Sequence, residues 1–143
     1  MQCIMLKSKL HRVSVTHTVT DGDDACLVDA SLLQAADIAE YQQVHIYNVS
    51  NGARFSTHAR PAPQGSSTVA LSGPAARLAS VGDLLIIASY AAYNEAALQD
   101  YAPRLIYVDA ANRIVRTSDA IPAQPAATPA HGAPARNTIT SRG

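Results

Sequence analysis

Turn chemistry punctuates residues 9–109 so often that most of the segments between the turns are the length of strands, and this limits the chain to a mainly β design. KLHRVSVTHTVT over 9–20 is rich in β-branched residues and alternates through Leu10, Val13 and Val15, with Arg12 interrupting the alternation. VHIYNV over 44–49 alternates cleanly. The hairpin signal Ser50-Asn51-Gly52 then returns the chain through 54–59. Further strands are predicted over 25–28, 68–71, 84–89 (LLIIAS) and, as the last clear one, 104–109 (RLIYVD). Helical spacing is found over 31–39, with Asp29 or Ser31 as N-cap. A short helix starts at Gly73-Pro74, with proline near its first position, and a helical turn is read over 94–99. Six or seven short strands with two short helices predict a small barrel, not a parallel α/β sheet.

Composition sets the remaining bounds. A chain of 143 residues is sized for one domain, and 48% hydrophobic against 15% charged residues gives it enough to bury. Eleven Lys plus Arg balance eleven Asp plus Glu, so no nucleic-acid partner is expected. No apolar run reaches the ~20 residues of a membrane helix, and no charged segment precedes a long apolar run at the start. No membrane association and a cytoplasmic location are the expectations. Two cysteines, Cys3 and Cys26, are too few for a disulfide framework or a four-thiolate zinc site. From residue 118 on, four of the eight prolines and seven alanines appear without apolar periodicity. The domain reading is a barrel over 1–120 and a flexible Pro/Ala-rich tail over 121–143.

Several residues carry chemistry by type. Arg54 offers a planar fork for a carboxylate or phosphate, and its plain alternative is a surface arginine after a hairpin. Lys9 and His11 alternate on one strand face and suit either a pocket wall or a half-solvated strand. The Asp21-Gly22-Asp23-Asp24 loop supplies oxygen ligands but lacks the spacing of a calcium loop, so a solvated turn is expected and no metal site is assigned. His17 and His45 stand without Cys or Glu at metal spacing and read as structural histidines. Cys26 reads as a small buried hydrophobe.

The segments MLKSKLHRVSVTH (5–17), NVSNGARFST (48–57) and ASVGDLLIIASY (79–90), together with AIP at 120–122, resemble the aspartate 1-decarboxylase family in order and spacing over residues 1–122. The resemblance implies a double-psi β-barrel with short helices, assembled as a homotetramer with active sites between neighbouring subunits. It also implies self-cleavage at a Gly-Ser bond, whose serine becomes a pyruvoyl group that takes up electrons as carbon dioxide leaves. This chain reads Asp24-Ala25-Cys26 at that point. Alanine has neither a nucleophile for the acyl shift nor a leaving group, so no pyruvoyl cofactor is expected from Ala25.

The resemblance further implies that Lys9 and Arg54 serve near the cleavage point and on the substrate carboxylate, that Thr57 matches a residue of self-processing, and that His11 shares the KLHR block. His58 replaces a proton-donating tyrosine, Ser72 an asparagine that orients substrate, Tyr47 a tryptophan, and Gly22 a tyrosine. His58 has an ordinary pKa of ~6.5 and suits acid/base work near neutrality. Its plain alternative is a strand histidine bonded to a neighbour. The resulting expectation is a pyruvoyl-independent lyase, isomerase or cyclase of specialised biosynthesis acting on a small carboxylate or acyl compound. His58, Lys9 and Asp24 would be catalytic, and Arg54, Thr57, His11, Ser72 and Tyr47 would bind substrate. Two alternatives stand beside it: a true aspartate 1-decarboxylase cleaved at Ala25-Cys26, and a non-catalytic ligand-binding or regulatory subunit.

Overall fold

The computed structural model describes residues 1–121; most of the tail reading, from 122 on, lies outside them. The described residues are mainly β, as expected, but they form nine strands where six or seven were read. They are β1 (Gln2–Ser14), β2 (His17–Val19), β3 (Ala25–Asp29), β4 (Gln43–Asn48), β5 (Arg54–Ala62), β6 (Val69–Ser72), β7 (Leu84–Asn94), β8 (Arg104–Val108) and β9 (Ile114–Ser118). Helix α1 (Ala30–Ala35) follows β3, a 3₁₀ segment (Gly73–Leu78) follows β6, and α2 (Glu95–Leu98) follows β7.

The strand order is β2-β6-β3-β5-β4-β7-β1-β8-β9. Because β2 is the continuation of β1 two residues later, its pairing with β6 closes the sheet into a barrel. The pairs β1–β8, β2–β6 and β3–β5 are parallel and the others antiparallel. This is the closed, mainly β architecture that the double-psi barrel expectation called for, and closure leaves few edges to protect.

The core fills from the inward faces of β1 and β3–β8. Leu10, Val28, Val44, Ile46, Leu71, Leu85 and Ile87 are all fully buried, each contributing about 1.5–3 kcal/mol by leaving water. The interruption of alternation at Arg12 is real. Arg12 has φ 65°, and the β1–β7 register shifts between Leu10 and Val13. Asp29 caps α1 through its side chain, but the helix stops at Ala35, short of the predicted 39. Asp37 turns left-handed at φ 54°, and the amide of Ile38 bonds back to the Leu33 carbonyl. The strand predicted over 9–20 divides into β1 and β2, and β1 begins at Gln2. β9 was not foreseen; it carries no buried face.

Candidate functional site

Two clusters of polar side chains stand on opposite sides of β5. Successive strand residues point to opposite faces, so Arg54 and His58 share one face while Thr57 takes the other.

On the inner side, Thr57 Oγ1 donates to Asp24 Oδ2 at 2.6 Å, and the amide of Ala75 donates to Asp24 Oδ1 at 3.1 Å. Both carboxylate oxygens are thereby engaged. Ser72, opposite Ala25 in the β3–β6 register, donates its hydroxyl to the Asp23 carbonyl. Gly73, at φ +72°, packs where a Cβ would lie 2.7 Å from both the Asp24 nitrogen and the Gly22 oxygen. The Asp-Gly-Asp-Asp loop is therefore a tied turn, and Asp24 meets Thr57 instead of His11 or His58. Among the described residues, no three His, Cys, Asp or Glu side chains gather as metal ligands.

Immediately beside this loop, Ala25 and Cys26 are buried. Burial pushes the Cys26 thiol up to about 12, so it stays protonated near neutrality. The reading of Cys26 as a small core residue is the one the fold adopts.

The outer face carries the second cluster. Lys9 pairs with Ala88, Ala88 with His45 and His45 with Ser56, which makes one row across β1, β7, β4 and β5. The adjoining rows bring Ile86, Tyr47 and Arg54 together on one side and Gln43 and His58 on the other. Arg54 stacks on Tyr47, its guanidinium carbon 4.3 Å from the ring centre. The Tyr47 and Tyr90 hydroxyls are 2.8 Å apart, and His45 meets Tyr90 edge-on at 5.1 Å.

Burial, then the bond to Tyr47, pushes Tyr90 up to about 12 against the opposing pull of Arg54. Tyr90 therefore acts as a neutral hydrogen-bonding group. Burial also lowers the pKa of Lys9. A cavity of about 240 Å³ opens beside His45, Tyr47, Arg54 and Ser56.

The remaining predicted residues are placed apart from these contacts. His58 lies against Tyr41, ring centres 5.8 Å apart, with Arg60 on the same tyrosine at 5.2 Å. His11 turns toward β8 and packs on Tyr107 at 5.1 Å. One chain thus joins Asp24 with Thr57, and Arg54 with Tyr47, but does not bring the two sets to one point. Sequence reading missed Tyr90 and treated His45 as purely structural. The only signal for Tyr90 was its position at the end of the LLIIAS run, which does not disclose a diagonal contact with Tyr47. His17, also read as structural, is exposed and has its ring nitrogen 2.8 Å from the Thr16 hydroxyl.

This chain is similar to known proteins over most of its length. The family model for aspartate decarboxylase matches residues 1–115. An aspartate 1-decarboxylase from Methylobacillus flagellatus is 56% identical over 126 residues, covering 88% of this chain and 100% of the relative. Proteins of the same name from Methylococcus capsulatus and Chromobacterium violaceum are 53% and 51% identical over the same shares. No helix among the described residues is long and apolar enough to cross a membrane.

Proposed function

The chain belongs to the aspartate decarboxylase family, and from that premise we propose that it works without a pyruvoyl group, as an acid/base enzyme on a small carboxylate or acyl compound. The observation that carries this reading is the state of residues 24–26. Ala25 offers only a methyl group. The Thr57 hydroxyl and the Ala75 amide are taken by the Asp24 carboxylate. The Cys26 thiol is buried and held protonated, so it is poorly placed to replace a serine in an acyl shift. A pyruvoyl group does not fit this set of residues.

In this reading Arg54 binds the substrate carboxylate bidentately, and its stack on Tyr47 holds the fork in place. Tyr47 and Tyr90 present hydroxyls to a second polar atom of the ligand. His58 moves a proton, and Lys9 favours negative charge developing on the substrate. Such groups suffice for isomerisation, cyclisation, elimination, or decarboxylation of a substrate that carries its own electron sink, such as a β-keto acid. The opposite facing of Thr57 and His58 supports assembly of the complete site from two copies of the chain, with Asp24, Thr57 and Ser72 from one and Arg54, Lys9 and His58 from its neighbour.

A second reading, aspartate decarboxylation after cleavage at Ala25-Cys26, is favoured by the 51–56% identity to proteins bearing that name. The intact mass of the purified protein under denaturing conditions separates the two. A single uncut chain that forms no β-alanine from L-aspartate is expected. Two fragments summing to the chain, with a blocked N-terminus on the larger, would overturn the first reading in favour of the second.

A further inference from the structure

A third arginine-on-tyrosine stack stands at the far end of the sheet. The guanidinium carbon of Arg116 lies 4.0 Å from the centre of the Tyr107 ring, and His11, the register partner of Tyr107, packs on the same ring. Next to them a cavity of about 260 Å³ is lined by His11, Arg12, Leu84, Tyr107 and Asp109. In the strand order His11 on β1 is three steps from Arg54 on β5, and Arg116 on β9 is five, about 14 Å and 24 Å along the sheet at ~4.8 Å each.

Two features of the cavity are unexplained by the fold alone. The Nδ1 atom of His11 is buried and bonds to no protein group, an arrangement that is costly unless a ligand or water completes it. Positive charge outnumbers negative here, with Asp109 the one carboxylate against Lys9, Arg12 and Arg116. Besides burial, Lys9, Arg12 and Arg116 all act against protonation of His11, while the ion pairs among the described residues are Lys7–Asp37 and Arg60–Glu40. Asp109, the one carboxylate of the lining, is occupied by its own turn, accepting from the amides of Ala111 at 2.8 Å and Arg113 at 3.0 Å. Arg12 is also held in the left-handed region at φ 65° by the bulge that presents it here, a conformation uncommon for a residue with a side chain.

We propose that this cavity is a second binding site, for a small oxyanion such as a carboxylate or a phosphate monoester, with His11 and Arg116 donating to it and Arg12 at its mouth. The volume is below the range of sites for drug-sized ligands, which limits the occupant to a small ion with its waters. Binding is linked to protonation. An anion beside the imidazole favours its charged form, so occupancy raises the pKa of His11 and takes up a proton. The groups facing His11 are Lys9 and Arg12 from its own strand, Tyr107 and Asp109 from β8 and the turn after it, and Arg116 from β9. Only Asp109 among them carries negative charge.

The test is a titration of the full-length protein, labelled with ¹⁵N-histidine, with inorganic phosphate and separately with acetate, both at ionic strength fixed by sodium chloride. The His11 signal is assigned with a His11→Gln variant. A saturable shift of His11 is expected, with a raised pKa at saturation. Arg116→Met is expected to weaken the response about tenfold or more, Arg116→Lys to restore part of it, and Arg54→Met to leave it unchanged. A response to phosphate alone, or to both ions, identifies which oxyanion the site takes. A His11 signal that moves no more than with sodium chloride would overturn the proposal. So would a response that survives in Arg116→Met, or one lost in a folded Arg54→Met protein.

Discussion

Asp29 is expected to be the most stability-critical carboxylate of the chain, and the structure gives the size of the effect. It ends β3, caps α1 and is only 3% exposed. Its Oδ1 accepts from the Ser31 amide at 2.8 Å, the Ser31 hydroxyl at 2.7 Å and the Gly65 amide at 3.0 Å, while Oδ2 accepts from the Ser67 amide at 2.8 Å. Asp29→Ala removes a helix cap, worth about 1 kcal/mol, and strands two loop amides at about 1–3 kcal/mol each, so a loss of about 3–7 kcal/mol follows. Asp29→Asn keeps the cap but turns an NH₂ group toward the Ser67 amide, donor against donor, for a loss of about 2 kcal/mol.

Acid separates the charge from the geometry in this contribution. Burial acts to raise the Asp29 pKa, but the bonds from Ser31, Ser67 and Gly65 together outweigh it and hold the carboxyl below its ordinary value. The carboxylate's contribution is therefore complete well above the unfolded pKa of ~3.9 and is lost as pH falls through the lower folded value. Urea unfolding followed by far-ultraviolet circular dichroism, at one protein concentration, should show a gap between wild type and Asp29→Asn that is largest near neutrality and narrows below about pH 4. Equal midpoints at neutral pH, or a gap indifferent to acid, would refute the account.

Three further substitutions, at Gly73, Ser8 and Ser89, probe the packing. Gly73→Ala should cost about 2–4 kcal/mol and speed hydrogen exchange at the Ala75 amide, because its Cβ would meet the Asp24 and Gly22 backbone at 2.7 Å. Unchanged exchange at Ala75 would mean that the loop does not depend on that close approach. Ser8 and Ser89 are fully buried partners with hydroxyls 2.6 Å apart. Either single alanine should cost about 1–2 kcal/mol by orphaning the other hydroxyl, and the double variant should recover most of it. Additive losses in that unfolding cycle would contradict a shared bond.

What the sequence disclosed follows the range of the forces involved. Alternation, a hairpin turn and a continuous apolar run are all local signals, so β4, β5 and the core stretch of β7 could each be read directly, and even the break at Arg12 marked a true bulge. β9 escaped because Ile114, Val115, Arg116 and Thr117 are all exposed, leaving no buried face to impose a pattern. The early stop of α1 escaped because an aspartate, not a glycine, takes the left-handed turn at residue 37. The site contacts Thr57–Asp24 and Tyr47–Tyr90 join residues 33 and 43 apart in sequence, and no local rule specifies such pairs. Resemblance supplied the first pair's neighbourhood but offered nothing for Tyr90 or for the cavity at His11.

One property of the site was legible from the pleat alone. Thr57 and His58 are consecutive on a strand, so no rotamer change within β5 can turn both toward one ligand. The inner face is committed to the core through Val44, Ile46 and Ala59, and sliding the register by one residue would exchange this apolar set with Arg54, Ser56 and His58 at a cost of several core side chains. The division between faces is therefore as fixed as the core itself. A chemistry needing both residues has to recruit the missing half from a neighbouring copy, which couples its rate to association. Mixing Asp24→Asn and His58→Ala proteins tests this coupling, because some interfaces of the mixed assembly would carry both intact halves. Turnover regained on mixing two inactive variants would follow from the divided site, and its absence despite proven subunit exchange would show that each copy works alone.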